Sequence, residues 1–227
     1  MTGRTSHASE AARAAQAIKQ ARLIAIIRAD THAEILAAVR ALAAAGAVIA
    51  EISLATADAL PALEQATDEL GDQLLLGAGT VRTPRDAERA LAAGARFLVS
   101  PGLDHDVVSF AQRSSVLHLP GIFSPTELAD ALASGAVLVK LFPAGRLGPG
   151  YVRDLLAPFP EARLVPTGGI TTANAGEFLD AGAVAVAVGT ALVSPATVRD
   201  PEAVSAALMQ FQSLITERTP KARPHGD

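Results

Sequence analysis

The sequence predicts an α/β fold, a single (β/α)8 TIM barrel with an extra N-terminal helix, and three observations predict it. Short runs rich in Val, Ile and Leu alternate with Ala-rich segments of helical spacing, and the alternation repeats eight times. The segments AAAGA, LAAGA, LASGA and LDAGA each end a helix with glycine and lead into a strand. The strand-like runs are almost continuously apolar, as parallel strands covered on both faces should be.

The elements follow in order. A helix from about Ser9 precedes the first strand. Strands are expected near Leu23–Ile27, Val48–Leu54, Gln73–Ala78, Phe97–Ser100, Val116–Leu119, Val137–Phe142, Arg163–Pro166 and Val184–Val188. Helices are expected at Ala33–Ala45, Ala57–Leu70, Pro84–Ala93, Asp104–Arg113, Pro125–Ala133, Gly150–Ala157, Thr172–Ala181 and Glu202–Ile215. Pro84, Pro125 and Pro201 fall where helices begin, a position proline favours. An open doubly wound sheet is the structural rival, but no G-x-G-x-x-G follows the first strand. The 227 residues suit one domain over 1–227, with the barrel at about 22–217 and a short mobile C-terminal tail after Arg218.

Composition narrows the chemistry. Half the residues are hydrophobic but only 4% are aromatic, so Ala, Val, Leu and Ile must build the core. The net charge is -4 with both signs scattered, which gives no footprint for nucleic acid or an anionic membrane. Zero cysteines exclude disulfides, thiolate catalysis and a cysteine zinc site. His7, His32, His105, His118 and His225 show no metal-ligand spacing, so no metal is expected. No apolar run is long enough to span a bilayer or to form a signal-peptide core, so a cytoplasmic setting is expected.

In a parallel barrel the working residues stand at the C-terminal ends of the strands. Those ends are Arg28, Glu51, Thr80, Ser100 with Pro101, Pro120 with Gly121, Lys140, Thr167 with Gly168 and Gly169, and Gly189 with Thr190. Only Lys19, Lys140 and Lys221 are lysines among 19 basic residues, and Lys140 alone lies inside an apolar run, VLVKLFP. Burial disfavours an ammonium, and the neutral amine can attack a ketone to form an imine. A snorkelling or salt-bridged lysine is the other reading. Glu51, in VIAEISLA, can shuttle protons as a general acid and base, or form a buried ion pair with Arg28 or Lys140. Gly168, Gly169, Gly189 and Thr190 follow the last two strands, where backbone N–H groups near a helix N-terminus suit a phosphate; tight turns alone would also explain the glycines. His118 reads as a packed histidine with a satisfied hydrogen bond, and Asp104 and Asp106 as helix caps.

These residues resemble one family, the 2-keto-3-deoxy-6-phosphogluconate (KDPG) and 4-hydroxy-2-oxoglutarate (KHG) aldolases. The likeness runs from about Leu23 to Val193. It rests on AIIR (25–28), EISLAT (51–56), GAGTV (77–81), FLVSPGL (97–103), LPGIFSPTE (119–127), VKLFPA (139–144), PTGGI (166–170) and VGTALV (188–193). The resemblance implies a homotrimeric class I aldolase that needs no cofactor or metal beyond a covalent imine. Its substrate would be a phosphorylated keto sugar acid, cleaved to pyruvate and glyceraldehyde 3-phosphate. Lys140 falls on the Schiff-base lysine and Glu51 on the general acid/base. Thr80 and Thr167 fall on residues that hold the pyruvyl end. Gly168, Gly169, Gly189 and Thr190 fall on the phosphate positions, with Thr190 in place of a serine. Arg28 and Pro101 complete the expected substrate-binding set. The chain departs from the family pattern Glu-x-Thr-x-Arg-Thr at Ala55, where an arginine usually holds the substrate carboxylate. Relatives acting on the 6-phosphogalactonate epimer also vary there, and Arg28 is the available substitute charge.

Overall fold

The computed structural model describes residues 4–194 and 196–218. The expected mobile tail after Arg218, with Lys221 and His225, lies outside the described residues, as does the side chain of His7.

Helix α1 (Arg4–Ala21) starts earlier than expected and joins almost directly to strand β1 (Leu23–Ile27). There follow α2 (His32–Ala44), β2 (Ile49–Ser53), α3 (Ala59–Leu70), β3 (Leu75–Gly79), α4 (Pro84–Ala92), β4 (Phe97–Val99) and α5 (His105–Arg113). The second half holds β5 (Leu117–Leu119), β6 (Gly121–Ile122), α6 (Pro125–Ala133), β7 (Val139–Leu141), α7 (Ala144–Leu156), β8 (Leu164–Pro166), α8 (Ala175–Asp180), β9 (Val186–Val188) and α9 (Pro201–Thr216). Every strand pair is parallel.

The strands form a curled α/β sheet in two hydrogen-bonded parts, ordered β5-β4-β3-β2-β1-β9 and β6-β7-β8. The expected fifth strand forms as β5, a short β6 that was not expected follows it, and between them stands Pro120, which has no N–H to give to a ladder. Its carbonyl still accepts from the Lys140 N–H at 2.9 Å. At the other seam the Val184 N–H donates to the Leu164 carbonyl at 3.0 Å, and Thr167 bridges to Ala187 in parallel fashion.

Side chains alternate across the strands, as pleating requires. Ile24, Ile26, Ile49, Phe97, Val99, Leu117, Leu119, Leu138, Val165, Ala185 and Ala187 form one buried cluster on the inner face. Ala14, Ala15 and Ile18 of α1 join it, so this helix covers the end where the strands begin. The intervening residues, such as Ala25, Ile27, Ala50, Ile52 and Leu98, pack outward against the helices.

Helix boundaries follow local chemistry. Thr83 and Ser124 cap α4 and α6 through reciprocal capping boxes, each with proline at the first turn. Asp200 caps α9, ahead of Pro201. Asp104 caps α5 by accepting from the Val107 N–H at 2.9 Å, whereas Asp106 sits inside the first turn and is not the cap. The four expected helix-ending glycines, Gly46, Gly94, Gly135 and Gly182, all have left-handed φ between +81° and +108°. Two helices differ from expectation. The seventh starts at Ala144 and breaks at Gly148, whose φ of +76° and ψ of +168° are not helical. The eighth is short, because the loop Thr167–Asn174 occupies what periodicity assigned to its first turn.

Candidate active site

The C-terminal ends of the strands carry the titratable groups of the inner face. On β2, Ile49 belongs to the inner cluster, so Glu51 and Ser53 follow it on the same side. On β7, Leu138 is inward, so Lys140 and Phe142 are too. Register places Glu51 beside Ile26 of β1 and Gly77 of β3. Lys140 lies between Gly121 and Val165.

Both charges are buried: Glu51 is 2% exposed and Lys140 is 6% exposed. No hydrogen bond or ion pair joins Glu51 to Lys140 or Arg28, so the buried ion-pair reading does not hold in its contact form. Glu51 Oε2 is buried without a hydrogen-bond partner. Burial pushes the Glu51 carboxyl above its ordinary range, against the opposing pull of the Lys140 and Arg28 cations. Burial likewise lowers Lys140; Glu51 opposes this and Arg28 adds to it. The two shifts have one chemical meaning. Both weaken the charged form, which makes the carboxyl a readier proton donor and the amine a readier nucleophile.

Glycine makes room for this pair. A Cβ on Gly79 would stand 1.7 Å from Glu51 Oε1, and one on Gly77 would meet the Phe97 ring at 2.5 Å. Glu51 therefore occupies space that any other residue at 79 would take. The Lys140 Nζ lies 5.1 Å from the centroid of the Phe142 ring, within cation–π range. That ring in turn covers Gly168, where a Cβ would meet it at 2.9 Å.

The hydroxyls of the mouth are also held. Ser53 Oγ and Thr80 Oγ1 are hydrogen-bonded at 2.8 Å, and Thr80 adopts a left-handed φ of +61°. Thr167 is buried and donates to the Val165 carbonyl at 3.1 Å. Pro101 lines up against Gly121, where a Cβ would meet the Pro101 carbonyl group at 2.4 Å. Arg28 is exposed at the end of β1, and no acid among the described residues pairs with it. Ala55 is exposed in the turn after β2.

The glycine pairs stand at the same rim. Gly168 and Gly169 have φ of +84° and +75°, a conformation that glycine adopts without strain. The helix start beside them is α7, not α8: Gly145 N–H donates to Gly168 O at 2.7 Å, and Gly145 packs directly on Gly169. Asn174 braces the loop, donating to Gly169 O at 2.9 Å and accepting from the Thr171 N–H at 2.8 Å. Gly189 is half-buried and Thr190 exposed just after β9.

Sequence reasoning missed Gly79, Phe142, Gly145 and Asn174 as parts of this site. Two glycines alternating on one strand at 77 and 79 carried the signal for close approach; Phe142 follows Lys140 at the spacing that shares its face. His118 is only partly as expected. Its Nε2 is bonded to Ser100 Oγ at 2.8 Å, but its Nδ1 is buried without a partner, and both residues lie on the outer, helix-facing side. Among the described residues, no group of three or more His, Cys, Asp or Glu is placed to hold a metal ion. No described helix is long and apolar enough to cross a membrane.

Fold and site define a parallel α/β protein with a desolvated lysine–carboxylate pair at the strand ends. The profile of the KDPG and KHG aldolase family matches residues 14–207, and the chain belongs to that family. It is 38% identical over 181 residues to a 2-dehydro-3-deoxy-phosphogluconate aldolase of Pseudomonas aeruginosa, covering 79% of this chain and 82% of that one. It superimposes with a TM-score of 0.79 and 30% identity on a KDPG aldolase of Legionella pneumophila, over 87% of this chain and 96% of that one. That structure holds pyruvate as a covalent carbinolamine. A cube-shaped protein cage designed by fusing symmetric oligomeric domains also aligns, with a TM-score of 0.79 and 30% identity over 86% of this chain and 73% of that one.

Proposed function

We propose that the protein is a class I aldolase that cleaves 2-keto-3-deoxy-6-phosphogluconate to pyruvate and glyceraldehyde 3-phosphate. The observation that carries this reading is the buried, unbridged pair of Lys140 and Glu51 on one inner face. The neutral Lys140 amine adds to the C2 ketone. Glu51 gives a proton to the departing hydroxyl, so the carbinolamine loses water and becomes an iminium. Glu51, now a carboxylate, takes the C4 hydroxyl proton. The C3–C4 bond breaks, its electrons pass into the iminium, and glyceraldehyde 3-phosphate leaves. Glu51 returns the proton to C3 of the enamine, and water then hydrolyses the imine to release pyruvate. No metal or other cofactor enters these steps.

Thr80 and Thr167 hold the pyruvyl end in this scheme, and Pro101 walls it. Arg28, an unpaired cation close enough to act on both Glu51 and Lys140, takes the carboxylate that Ala55 cannot hold. Gly168, Gly169, Gly189 and Thr190 take the phosphate, far from the broken bond, where binding energy fixes orientation. The frame for this is one domain in which the two sheets close into a (β/α)8 barrel, with β5 and β6 as one strand and α1 as the extra helix. The two seam contacts, Lys140 to Pro120 and Val184 to Leu164, support closure. We extend the same reading to a homotrimer in the cytoplasm.

Incubation with pyruvate and borohydride, followed by intact-mass and peptide analysis, tests the chemistry. A stable reduced pyruvyl adduct on Lys140 is expected, and none in Lys140→Ala. Folded wild-type protein that forms no adduct would overturn the imine mechanism. Turnover of the gluconate compound above its galactonate epimer and 4-hydroxy-2-oxoglutarate is the expected substrate order.

A further inference from the structure

His118 and Ser100 are buried polar side chains that the mechanism above leaves unused. His118 stands between Leu117 and Leu119 in β5, whose side chains join the inner cluster, so its imidazole points outward to the helices. Ser100, next after inward Val99, points the same way. Neither side chain faces the substrate. The imidazole makes one hydrogen bond, between Nε2 and Ser100 Oγ at 2.8 Å, and its Nδ1 is buried without a partner. An apolar residue at 118 would pack there with no nitrogen left unpaired. A polar group buried in this way calls for a role, and its one partner indicates which.

Ser100 opens the turn whose next residue, Pro101, walls the pyruvyl end in the scheme above. Its N–H donates to the Leu119 carbonyl at 3.0 Å, so backbone and side chain together tie it to β5. From this turn the contacts run on to the reacting amine. The Gly121 N–H donates to the Gly102 carbonyl at 3.2 Å. Gly121 also packs so closely on the Pro101 carbonyl group that a Cβ there has no room. Gly121 pairs with Lys140 in the register of β6 and β7, and the Lys140 N–H donates to the Pro120 carbonyl at 2.9 Å. Two backbones in contact at Gly121 leave no slack, so a shift of the Ser100–Pro101 turn is passed to the strand that carries Lys140.

We propose that the Ser100–His118 hydrogen bond is a positioning element of the active site, holding the Pro101 wall and, through Gly121, the Lys140 strand. This rests on the imine reading of Lys140 given above. His118 is a positioning residue, since it touches neither substrate nor reacting atoms. The wall sets where the C2 ketone stops before the amine, and a misplacement of about 1 Å can cost roughly 10²-fold in rate. One lost hydrogen bond loosens the turn by less, so a fall of roughly tenfold in kcat is expected. The proposed phosphate positions follow β8 and β9, outside this run of contacts, so KM should stay within about twofold.

Kinetics of the full-length Ser100→Ala, His118→Leu and double variants, well below their melting temperatures, test this. Each single variant should show the expected fall in kcat. The double variant should lose no more than either, because both changes remove the same bond. His118→Gln, whose amide can meet the Ser100 hydroxyl, should recover most of the rate lost in His118→Leu. The time course of pyruvate trapping on Lys140 should slow in the same order. A merely structural pair would lower the melting temperature and leave kcat unchanged, and that result overturns the proposal. Losses that multiply in the double variant, or a His118→Gln no faster than His118→Leu, overturn it too. Should His118→Leu fail to fold, Ser100→Ala, which removes one oxygen, decides the matter through kcat alone. A wild type that traps no pyruvate overturns the aldolase reading and the positioning role with it. A wild type that traps pyruvate, beside variants of unchanged kcat, overturns the positioning role only.

Discussion

Gly79→Ala is the smallest change that should disable the site. The added Cβ would stand 1.7 Å from Glu51 Oε1, whereas ordinary contact begins at 3.4 Å. The difference between these two distances is about 1.7 Å, and one of the two groups must yield by it. Gly79 belongs to a ladder with β2 and cannot move far, so the Glu51 side chain yields. Displacing a catalytic group by about 1 Å is enough to cost roughly 10²-fold in rate. We expect kcat to fall by about two orders of magnitude, because in the proposed mechanism proton transfer through Glu51 serves several steps. KM should change much less, since the proposed phosphate and carboxylate contacts lie elsewhere. Overpacking of this kind destabilises by roughly 1–3 kcal/mol, so the variant stays folded. Steady-state kinetics with a coupled assay for pyruvate, beside thermal unfolding, measures both. Pyruvate trapping on Lys140 should persist but slow. A variant with kcat within a factor of two of wild type would refute the placement of Glu51 at the reacting atoms.

Two further outcomes follow from buried titratable groups. Burial lowers His118 from 6.5 to about 4, with Asp104 opposing the shift. A base whose folded pKa is depressed binds more protons when unfolded, so its contribution is intact above pH 6.5 and is lost as pH falls towards 4. The shift corresponds to about 3 kcal/mol of stability. Denaturant unfolding of wild type and His118→Gln between pH 7.5 and 4 should show curves that converge as the pH falls; parallel curves would exclude this role. Lys140 is also depressed by burial, so stability due to it rises with pH up to the ordinary lysine range. Lys140→Met, of similar length and without the charge, should melt at a higher temperature than wild type at pH 7 while losing imine formation. A lower melting temperature would mean that burial of this amine carries no cost.

The periodicity of the chain made most of the architecture legible. Strand and helix order, the helix-ending glycines and the proline starts are set by local backbone preferences, and they appear where the pattern put them. The expected strand at Val116–Leu119 forms as β5, but the short strand β6 beyond Pro120 was not foreseen. Pro120 breaks the ladder through a missing N–H, and whether a strand resumes beyond it depends on the neighbour across the gap. The seventh helix was placed too late for a related reason. Its first turn is anchored by Ala144 and Gly145 to the loop after β8, a contact between segments more than 20 residues apart.

By itself the sequence determined which residues reach the strand ends, and so named Lys140 and Glu51. Alternation on a pleated strand assigns each inward position without reference to any partner. Only the tertiary structure decided that the two are buried together without a salt bridge, that Gly79 leaves the space Glu51 fills, and that the helix start beside Gly168 is that of α7. Desolvation, steric room and the approach of one loop to another are properties of groups distant in the chain, and no local pattern encodes them.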